Sequence, residues 1–474
     1  MAGFFVENFG CRATQADGAA LERQFEERGL ERVSTAAQAS VVVLNTCTVT
    51  TGADQDARAA IRRVRRQNPE AQIVVTGCYA QRAPEEIAAL PGVSLVVGNS
   101  HKHQLAEITL REPFAGQTPR SDFISLSQLT ENRVLSTENS IFVSDIFAHT
   151  ELLAAPVFDA ANERTRPNLK VQDGCDNRCS FCVIPFVRGQ SRSLKMDRII
   201  GEVHTLVGAG YREVVISGIN LGRWGRDLAV SCQPSAHGQR PTTNDQRLES
   251  LICAILSETA LEKLRISSVE PMDWSDELIS LVACSPRIAK HAHVPMQSGS
   301  DSVLRRMHRK YRPWHYREKI EKIRAAMPDA AIGADAMVGF PGETEAEFEA
   351  TRRMVEELPF TYLHVFTYSA RPGTPAADMK NQVPVHVARE RNRVLRELAA
   401  EKKLAFMRSF IGKTLEGITL NVIGNDSEGE FTEALTDNYL KLRLRGRHEA
   451  NRWQTAIVQE AESGSLIGAP RAGQ

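Results

Sequence analysis

The sequence predicts an α/β chain in three parts: an N-terminal parallel α/β sheet (residues 1–100), a central partial (βα) barrel (166–408) and a small antiparallel β-barrel (409–470). Residues 101–165 are polar and weakly periodic, above all in "SLSQLTENRVLSTENS", and are expected to form a linker. Three observations carry this division. In residues 3–100, the β-rich runs "FFVENFG", "SVVVLNTCTVT" and "QIVVTGCYA" alternate with the amphipathic stretches "ALERQFEERG" and "ADQDARAAIRRVRRQNPE", the pattern of parallel strands joined by helices. From 166 to about 380 the rhythm returns over five or six units, with strands "VVISGIN", "RISSVEP", "AKHAHVPMQ", "AIGADAMVGFPG" and "YLHVFTYSA" and helices such as "MDRIIGEVHTLVGAG" and "EAEFEATRRMVEEL", which suits a full or partial barrel. After a helix over roughly 386–408, "TLEGITLNVIGND", "EFTEALTDNYLKLRLRG" and "RWQTAIVQEAESGSLIG" read as short strands separated by turns.

The 474 residues allow two or three sizeable cores. No run of about 18 apolar residues occurs, so no membrane span is expected. The start "MAGFFVENFG" has no basic flank and no long apolar stretch; it reads as a first strand and points to the cytoplasm. Basic and acidic residues balance at 58 each, so any surface for a polyanion must be local. Nine cysteines in a chain without an export signal favour free thiols, metal ligands or redox chemistry over a disulfide framework. Cys232, Cys253 and Cys284 share no motif and read as buried or incidental thiols; Cys232 falls in 227–247, which interrupts the βα rhythm as an exposed insertion loop.

The other six cysteines form two triads. Cys11, Cys47 and Cys78 each lie at or just past the end of one of the first strands. The carboxyl ends of parallel strands share one edge, where ligand sites are built, so these three can meet. Cys175, Cys179 and Cys182 are instead written into one loop, "GCDNRCSFCVIPFVRGQSRS", with spacing C-x3-C-x2-C and no nearby fourth Cys or His. A zinc site would want that fourth ligand. Three thiolates on one loop suit a 4Fe–4S cluster with one iron left open. Gly174 and Asn177 permit a tight loop, and Phe181 can shield the cluster, which influences its potential.

Elsewhere, "GFPGET" reads as a glycine-rich turn ended by an N-cap, Thr344 paired with Glu347, or as a cofactor contact. In "YLKLRLRGR", strand alternation puts Lys441, Arg443, Arg445 and Arg447 on one face, a stripe able to follow a phosphate backbone or a charged edge strand. Tyr439, Trp453 and Phe431 offer rings for base stacking or for the core of a small barrel. Arg62, Arg63, Arg65 and Arg66 read as a solvated helix face, with RNA contact as the alternative.

The cysteine loop and "GYREVVISGINLGRWG", "RISSVEP", "HAHVPMQSGSDSVLRRMHRKY", "GADAMVGFPGETEAEFEAT" and "HVFTYSARPGTPAADM" resemble the core of the radical S-adenosylmethionine (SAM) enzymes of the methylthiotransferase family. "FGCRATQADG", "VVLNTCTVTTGADQDARAAIRR" and "IVVTGCYAQ" resemble that family's N-terminal domain, and the tail resembles a TRAM domain, a small RNA-binding barrel. Nearly the whole chain is covered. The resemblance implies two 4Fe–4S clusters, one on Cys175, Cys179 and Cys182 that binds and cleaves SAM, and an auxiliary one on Cys11, Cys47 and Cys78. It places SAM contacts at Ser217, Gly218, Asn220, Glu270 and Gln297, and assigns no side chain a catalytic role. In "GCRATQ" the asparagine that relatives more often carry shortly after the first cysteine is missing, which leaves the loop's hydrogen bonding open.

The implied activity is methylthiolation of C2 of an adenosine beside the anticodon of tRNA, an aromatic C–H bond inert to acid–base catalysis. One SAM supplies the methyl group and another the radical. The implied partners are tRNA, a flavodoxin- or ferredoxin-like electron donor and a sulfur source. Three substrates compete: N6-threonylcarbamoyladenosine, N6-isopentenyladenosine and an aspartate of a ribosomal protein. "NTCTVT", "VVTGCYAQ" and "GINLGRWG" look most like the first group. Arg188, Arg192 and Arg223 are then expected to pair with the threonyl carboxylate. A non-enzymatic iron–sulfur RNA-binding sensor is the reading from a different class.

Overall fold

A computed structural model describes residues 3–111, 134–135, 140–149, 152, 165–230, 247–427, 429–462 and 464–470. The expected insertion loop, with Cys232, lies almost wholly outside the described residues, as does most of 125–140.

The N-terminal sheet is built from β1 (Gly3–Asn8), β2 (Glu31–Arg32), β3 (Val41–Thr46), β4 (Gln72–Gly77), β5 (Val93–Gly98), β6 (Val134–Leu135) and β7 (Ser140–Phe142), in the order β2-β1-β3-β4-β5-β7-β6. Only β6 runs antiparallel to its neighbour. β3 and β4 are buried at every position, which explains their unbroken apolar sequence. One face is covered by α2 (Thr51–Gln67), α3 (Cys78–Arg82) and α4 (Pro84–Ala88) through Ile61, Tyr79 and Ile87. The other is covered by α1 (Arg12–Glu26) and α5 (Leu105–Arg111) through Leu21, Phe25 and Leu105. Here the structure departs from the expected linker over 101–165: α5 and β7 fall inside it, and β7 extends the sheet by pairing with β5. A three-residue strand is too short to show a period in sequence.

The central domain carries six parallel strands in chain order. β8 (Asn168–Asp173) is followed by α6 (Ile184–Arg188), the short antiparallel β9 (Arg192–Ser193) and α7 (Met196–Gly208). β10 (Glu213–Gly218), α8 (Arg226–Val230), α9 (Leu248–Glu258), β11 (Lys263–Ile266), α10 (Asp276–Cys284) and β12 (His291–His293) come next. α11 (Asp301–Arg306), α12 (Pro313–Ala326), β13 (Ala331–Val338), α13 (Glu345–Glu357) and β14 (Tyr362–Thr367) complete the series. β8, β10 and β11 form one ladder and β12, β13 and β14 another, joined by a bridge between Leu264 and Ile288. Among the described residues no ladder joins β14 back to β8 or β9, so the barrel is partial.

After α14 (Val385–Arg408), β15 (Thr414–Asp426), β16 (Gly429–Thr436), β17 (Lys441–Arg445), β18 (Trp453–Glu462) and β19 (Ser465–Pro470) close in the order β15-β16-β17-β19-β18. The barrel is antiparallel except where β17 runs parallel to β19 to close it. Its β16–β17 turn seals the amino end of the central barrel. Arg265 donates to the carbonyls of Thr436 (3.2 Å) and Asp437 (3.3 Å), and Lys263 pairs with Asp437 at 3.0 Å. Tyr439, in the left-handed region at φ 64°, brings its ring 4.5 Å from that of His291. Among the described residues no helix is long and apolar enough to cross a membrane.

Candidate functional site

The sheet brings the first triad together. Cys47 and Cys78 follow residues Thr46 and Gly77, which are paired in the β3–β4 ladder. Gly10, at φ 98°, passes so close over Cys47 that a Cβ on it would lie 2.8 Å from the Cys47 sulfur. That position therefore demands glycine and sets Cys11 beside Cys47. Burial, followed by the neighbouring Cys78 and Cys11, pushes the Cys47 thiol up to about 12. Donors surround the sulfurs: Asn99 Nδ2 lies 3.6 Å from Cys78 Sγ, and Thr14 Oγ1 lies 3.5 Å from Cys11 Sγ. Thr14 thus fills the hydrogen-bonding role that "GCRATQ" left open.

The second triad is local. Gly174, at φ 72°, begins the loop against the carbonyl of Gln190, where a Cβ would lie 1.9 Å from the oxygen. Cys175 Sγ accepts from the Asn177 backbone N–H (3.4 Å) and faces Asn220 Nδ2 at 3.6 Å, while Arg309 Nη1 donates to Cys179 Sγ at 3.2 Å. Burial and the two neighbouring thiols raise Cys182 to about 12. Phe181 meets Phe340 edge-on, 6.4 Å between ring centres.

Both triads fit 4Fe–4S clusters. Each offers three thiols, supplied with N–H or O–H donors toward sulfur, which tune such clusters. Among the described residues no three Cys, His, Asp or Glu are grouped closely enough to hold one metal ion.

A buried charge network ties the two domains together beside the first triad. Lys102 donates to Asp17 (3.0 Å) and to the Asn45 side chain (3.1 Å); Lys170 pairs with Asp17 and with Asp173 (2.8 Å); Arg188 pairs with both carboxylates at 3.0 Å. Arg188 also donates to Thr14 Oγ1 at 3.3 Å. Burial raises Asp17, but Lys102, Lys170 and Arg188 override it and hold the carboxyl at about 2.

The expected partners of a threonyl carboxylate are therefore engaged elsewhere. Arg188 is buried among its own ion pairs, Arg192 donates to the carbonyls of His149 and Arg188 at 2.8 Å, and Arg223 pairs with Asp273 at 3.0 Å. Of the SAM-contact candidates, Ser217, Gly218, Asn220 and Glu270 lie by the Cys175 loop. Ser217 Oγ and Asn220 Oδ1 are buried without a hydrogen-bond partner among the described residues, which leaves them to a ligand. Gly218 lies against Gln172, whose side-chain oxygen takes the Asn220 backbone N–H at 2.7 Å. Glu270 pairs with Arg309, burial raising its carboxyl despite that partner. Gln297 adopts φ 63° and bridges to Ala336.

A cavity of about 670 Å³ opens between the domains. Gly10, Cys11 and Arg12 border it on one side and Ser217 and Gly218 on the other; His291, His293, Tyr362, His364 and Phe366 line the barrel wall, and Tyr439 contributes from the C-terminal barrel. Sequence reasoning missed Arg12, Arg309 and the ring-bearing wall, although "YLHVFT" places Tyr362, His364 and Phe366 on one strand face by simple alternation.

The basic stripe faces outward but is largely neutralised: Lys441 pairs with Glu433 (2.9 Å), Arg443 with Glu462 (3.0 Å) and Arg445 with Asp426 (2.7 Å). Arg447 is exposed. Lys441 also lines a second cavity of about 430 Å³ with Arg166, Arg396 and Lys403. Phe431 is core, Trp453 is pinned to Glu262, and Arg62, Arg63, Arg65 and Arg66 are exposed on α2, Arg63 pairing with Glu7. Thr344 and Glu347 form the reciprocal cap at the start of α13. Cys253 and Cys284 are exposed free thiols.

Comparison with known proteins bears on this arrangement. Residues 3–98 match the uncharacterized protein family UPF0004, and residues 169–355 match the radical SAM superfamily. The threonylcarbamoyladenosine tRNA methylthiotransferase MtaB of Bacillus subtilis is 36% identical over 95% of this chain and 92% of its own, and that of Aquifex aeolicus 35% identical over 95% and 99%. A tRNA-2-methylthio-N(6)-dimethylallyladenosine synthase of Novosphingobium aromaticivorans is 34% identical over 87% and 85%. The radical SAM methyltransferase TsrM from Kitasatospora setae, solved with tryptophan and a SAM analogue, shares the fold with a TM-score of 0.55 at 15% identity, over 79% of this chain and 75% of that one. By its likeness to these relatives along nearly its whole length, the chain belongs to the radical SAM tRNA methylthiotransferase family, enzymes that use SAM and 4Fe–4S clusters.

Proposed function

We propose that the chain attaches a methylthio group to C2 of N6-threonylcarbamoyladenosine at position 37, beside the anticodon of tRNA. One observation carries this reading: a single cavity is bordered by Cys11 of one triad and by the Ser217–Gly218 strand end beside the other. A volume of about 670 Å³ falls in the range of sites that enclose a small organic ligand. When bound, the clusters and SAM supply sulfur, the methyl group and the radical that activates the C–H bond.

The chain's residues bind and orient. Cys175, Cys179 and Cys182 hold the SAM-binding cluster, and Cys11, Cys47 and Cys78 hold the auxiliary cluster. Ser217 Oγ and Asn220 Oδ1 have no partner among the described residues; the hydroxyl donates to or accepts from SAM and the amide oxygen accepts from it, with Gly218 allowing close approach and Gln297 shaping the strand end. Arg309 fixes Glu270, whose carboxylate is placed to accept from ribose hydroxyls. His364 and Phe366 offer exposed rings at the cavity for base stacking. The basic wall of Arg166, Arg396, Lys403 and Lys441, with Arg443, Arg445 and Arg447 beyond it, follows the tRNA backbone. The reaction takes place in the cytoplasm and draws on a flavodoxin- or ferredoxin-like electron donor and a sulfur source.

The relative that makes dimethylallyladenosine derivatives supports isopentenyladenosine as a second substrate reading. Anaerobic incubation of the reconstituted chain with SAM, reductant and tRNA, followed by mass spectrometry of nucleosides, separates the two. The expected product is the 2-methylthio form of threonylcarbamoyladenosine; conversion of isopentenyladenosine alone would overturn the substrate assignment.

A further inference from the structure

We propose that Arg12 is the specificity residue of the cavity, taking the carboxylate of the modified adenosine's N6 substituent in a charge-assisted pair. The inference rests on the threonylcarbamoyladenosine reading and names the group that recognises what distinguishes that base from its isopentenyl counterpart.

The argument is one of elimination within the cavity. Among the residues lining it, Arg12 is the one lysine or arginine, and none is an aspartate or glutamate. Among the described residues, Arg12 makes no ion pair; its guanidinium contacts the Tyr439 hydroxyl at 3.5 Å, a neutral partner. A guanidinium carries five donors in a fixed fork, so most of its capacity is unspent. Of the neighbouring cations, Arg265 is consumed by Glu213 and by two carbonyls of the β16–β17 turn, and Arg166 lines adjoining cavities and not this one. His291 is held neutral, burial and then Arg265 pushing it well below the usual histidine range. A carboxylate entering this space therefore meets one lining guanidinium, adjacent in sequence to Cys11, while the nearest acid behind the wall, Asp335, is paired with His293 at 3.3 Å.

Position adds to charge. Arg12 follows a residue of the first triad directly, so the group that anchors the base is fixed to the same turn as the sulfur-holding site. The Tyr439 hydroxyl, from the C-terminal barrel, steadies the guanidinium from the opposite wall. An isopentenyl group offers nothing to this fork and would leave the arginine's donors unpaired on ligand binding.

The test uses the reconstituted holoenzyme without reductant and measures binding of an anticodon stem–loop RNA in three forms: with threonylcarbamoyladenosine, with its carboxylate converted to the methylamide, and with isopentenyladenosine. The native chain should bind the acid roughly tenfold or more tightly than the amide, the scale of a charge-assisted pair. Arg12→Gln should lose that factor on the acid and no longer tell acid from amide, while Arg12→Lys keeps part of the preference. Equal discrimination by Arg12→Gln and the native chain would overturn the assignment of Arg12 while leaving the substrate reading intact. If, once reductant is added, the native chain methylthiolates isopentenyl RNA but not the acid, both are overturned. Iron content checks that the neighbouring cluster survives; should Arg12→Gln lose it, Tyr439→Phe, which leaves the cysteines and their sequence neighbours unchanged, gives the second reading. Its preference for the acid should fall severalfold, and an unchanged preference there counts against the proposal.

Discussion

The two cysteine triads differ in how the chain builds them. Cys175, Cys179 and Cys182 share one loop between β8 and α6, and the groups that touch their sulfurs, Asn177, Asn220 and Arg309, belong to the same domain. Cys11, Cys47 and Cys78 are contributed by three strand ends, and Arg188 of the neighbouring domain reaches them through Thr14. A loop site is self-contained; a sheet-edge site exists only after the fold does. The contrast predicts that the first is locally removable and the second is coupled to domain docking.

The largest effect tests that independence. Replacing Cys175, Cys179 and Cys182 by alanine should abolish both SAM cleavage and methylthiolation, and iron analysis should fall from about eight per chain to about four. Replacing Cys11, Cys47 and Cys78 should abolish methylthiolation but leave reductive SAM cleavage, read as 5′-deoxyadenosine. Loss of cleavage in that second variant would break the comparison.

Next in size is Arg309→Met, which strips Cys179 of a donor and strands Glu270. Breaking a buried pair in this way costs about 3–5 kcal/mol, and thermal denaturation of the metal-free chain should show it. Adding Glu270→Gln should recover much of the loss, since an unpaired buried carboxylate is then removed.

The carboxylates beside the two triads should also respond to acid with opposite sign. Asp17 is held at about 2, below the unfolded carboxylate, so its contribution is full above the usual aspartate range and is lost as pH falls through it toward 2. Glu270 is raised, so the fold prefers its protonated form and gains as pH falls through the usual glutamate range. Melting temperatures of Asp17→Asn and Glu270→Gln from neutral pH down to about pH 3 should show the first flattening the loss below about pH 4 and the second flattening the gain above it; slopes of the same sign would refute the distinction.

The smallest effects belong to the C-terminal stripe. Arg443→Ala, removing a charge already paired with Glu462, should change RNA affinity by less than about 1 kcal/mol. Arg447→Ala should weaken binding to all RNA sequences alike and reduce the slope of log affinity against log salt by roughly 1.

Much of this was legible in the sequence because its cause is local. The C-x3-C-x2-C loop, the capped turn at Thr344 and the apolar runs of β3 and β4 each declare themselves within a few residues. The convergence of Cys11, Cys47 and Cys78 was legible one step removed, through the rule that parallel strands end on a common edge. What stayed hidden depends on tertiary partners. Arg188 looked free for substrate because nothing nearby in sequence reveals Asp17, and Tyr439 read as a base-stacking ring or a barrel-core residue because its docking beside His291 is set by another domain. Arg12 was overlooked since only the assembled cavity shows that it has no acid to pair with.

The network around Arg188 also bears on how the molecule matures. Among the described residues, Lys102, Lys170 and Arg188 form their ion pairs with Asp17 and Asp173, three buried cations against two carboxylates, and the cysteine site lies alongside. A cluster on three thiolates is an anion and completes the balance. Iron loading should therefore act as the last fastening of the seam between the first two domains, with α6 and β8 exchanging amide hydrogens faster in the metal-free chain than in the reconstituted one. A copy made under iron scarcity would then be marked by a loosened joint, the place where a protease or an assembly factor first finds purchase.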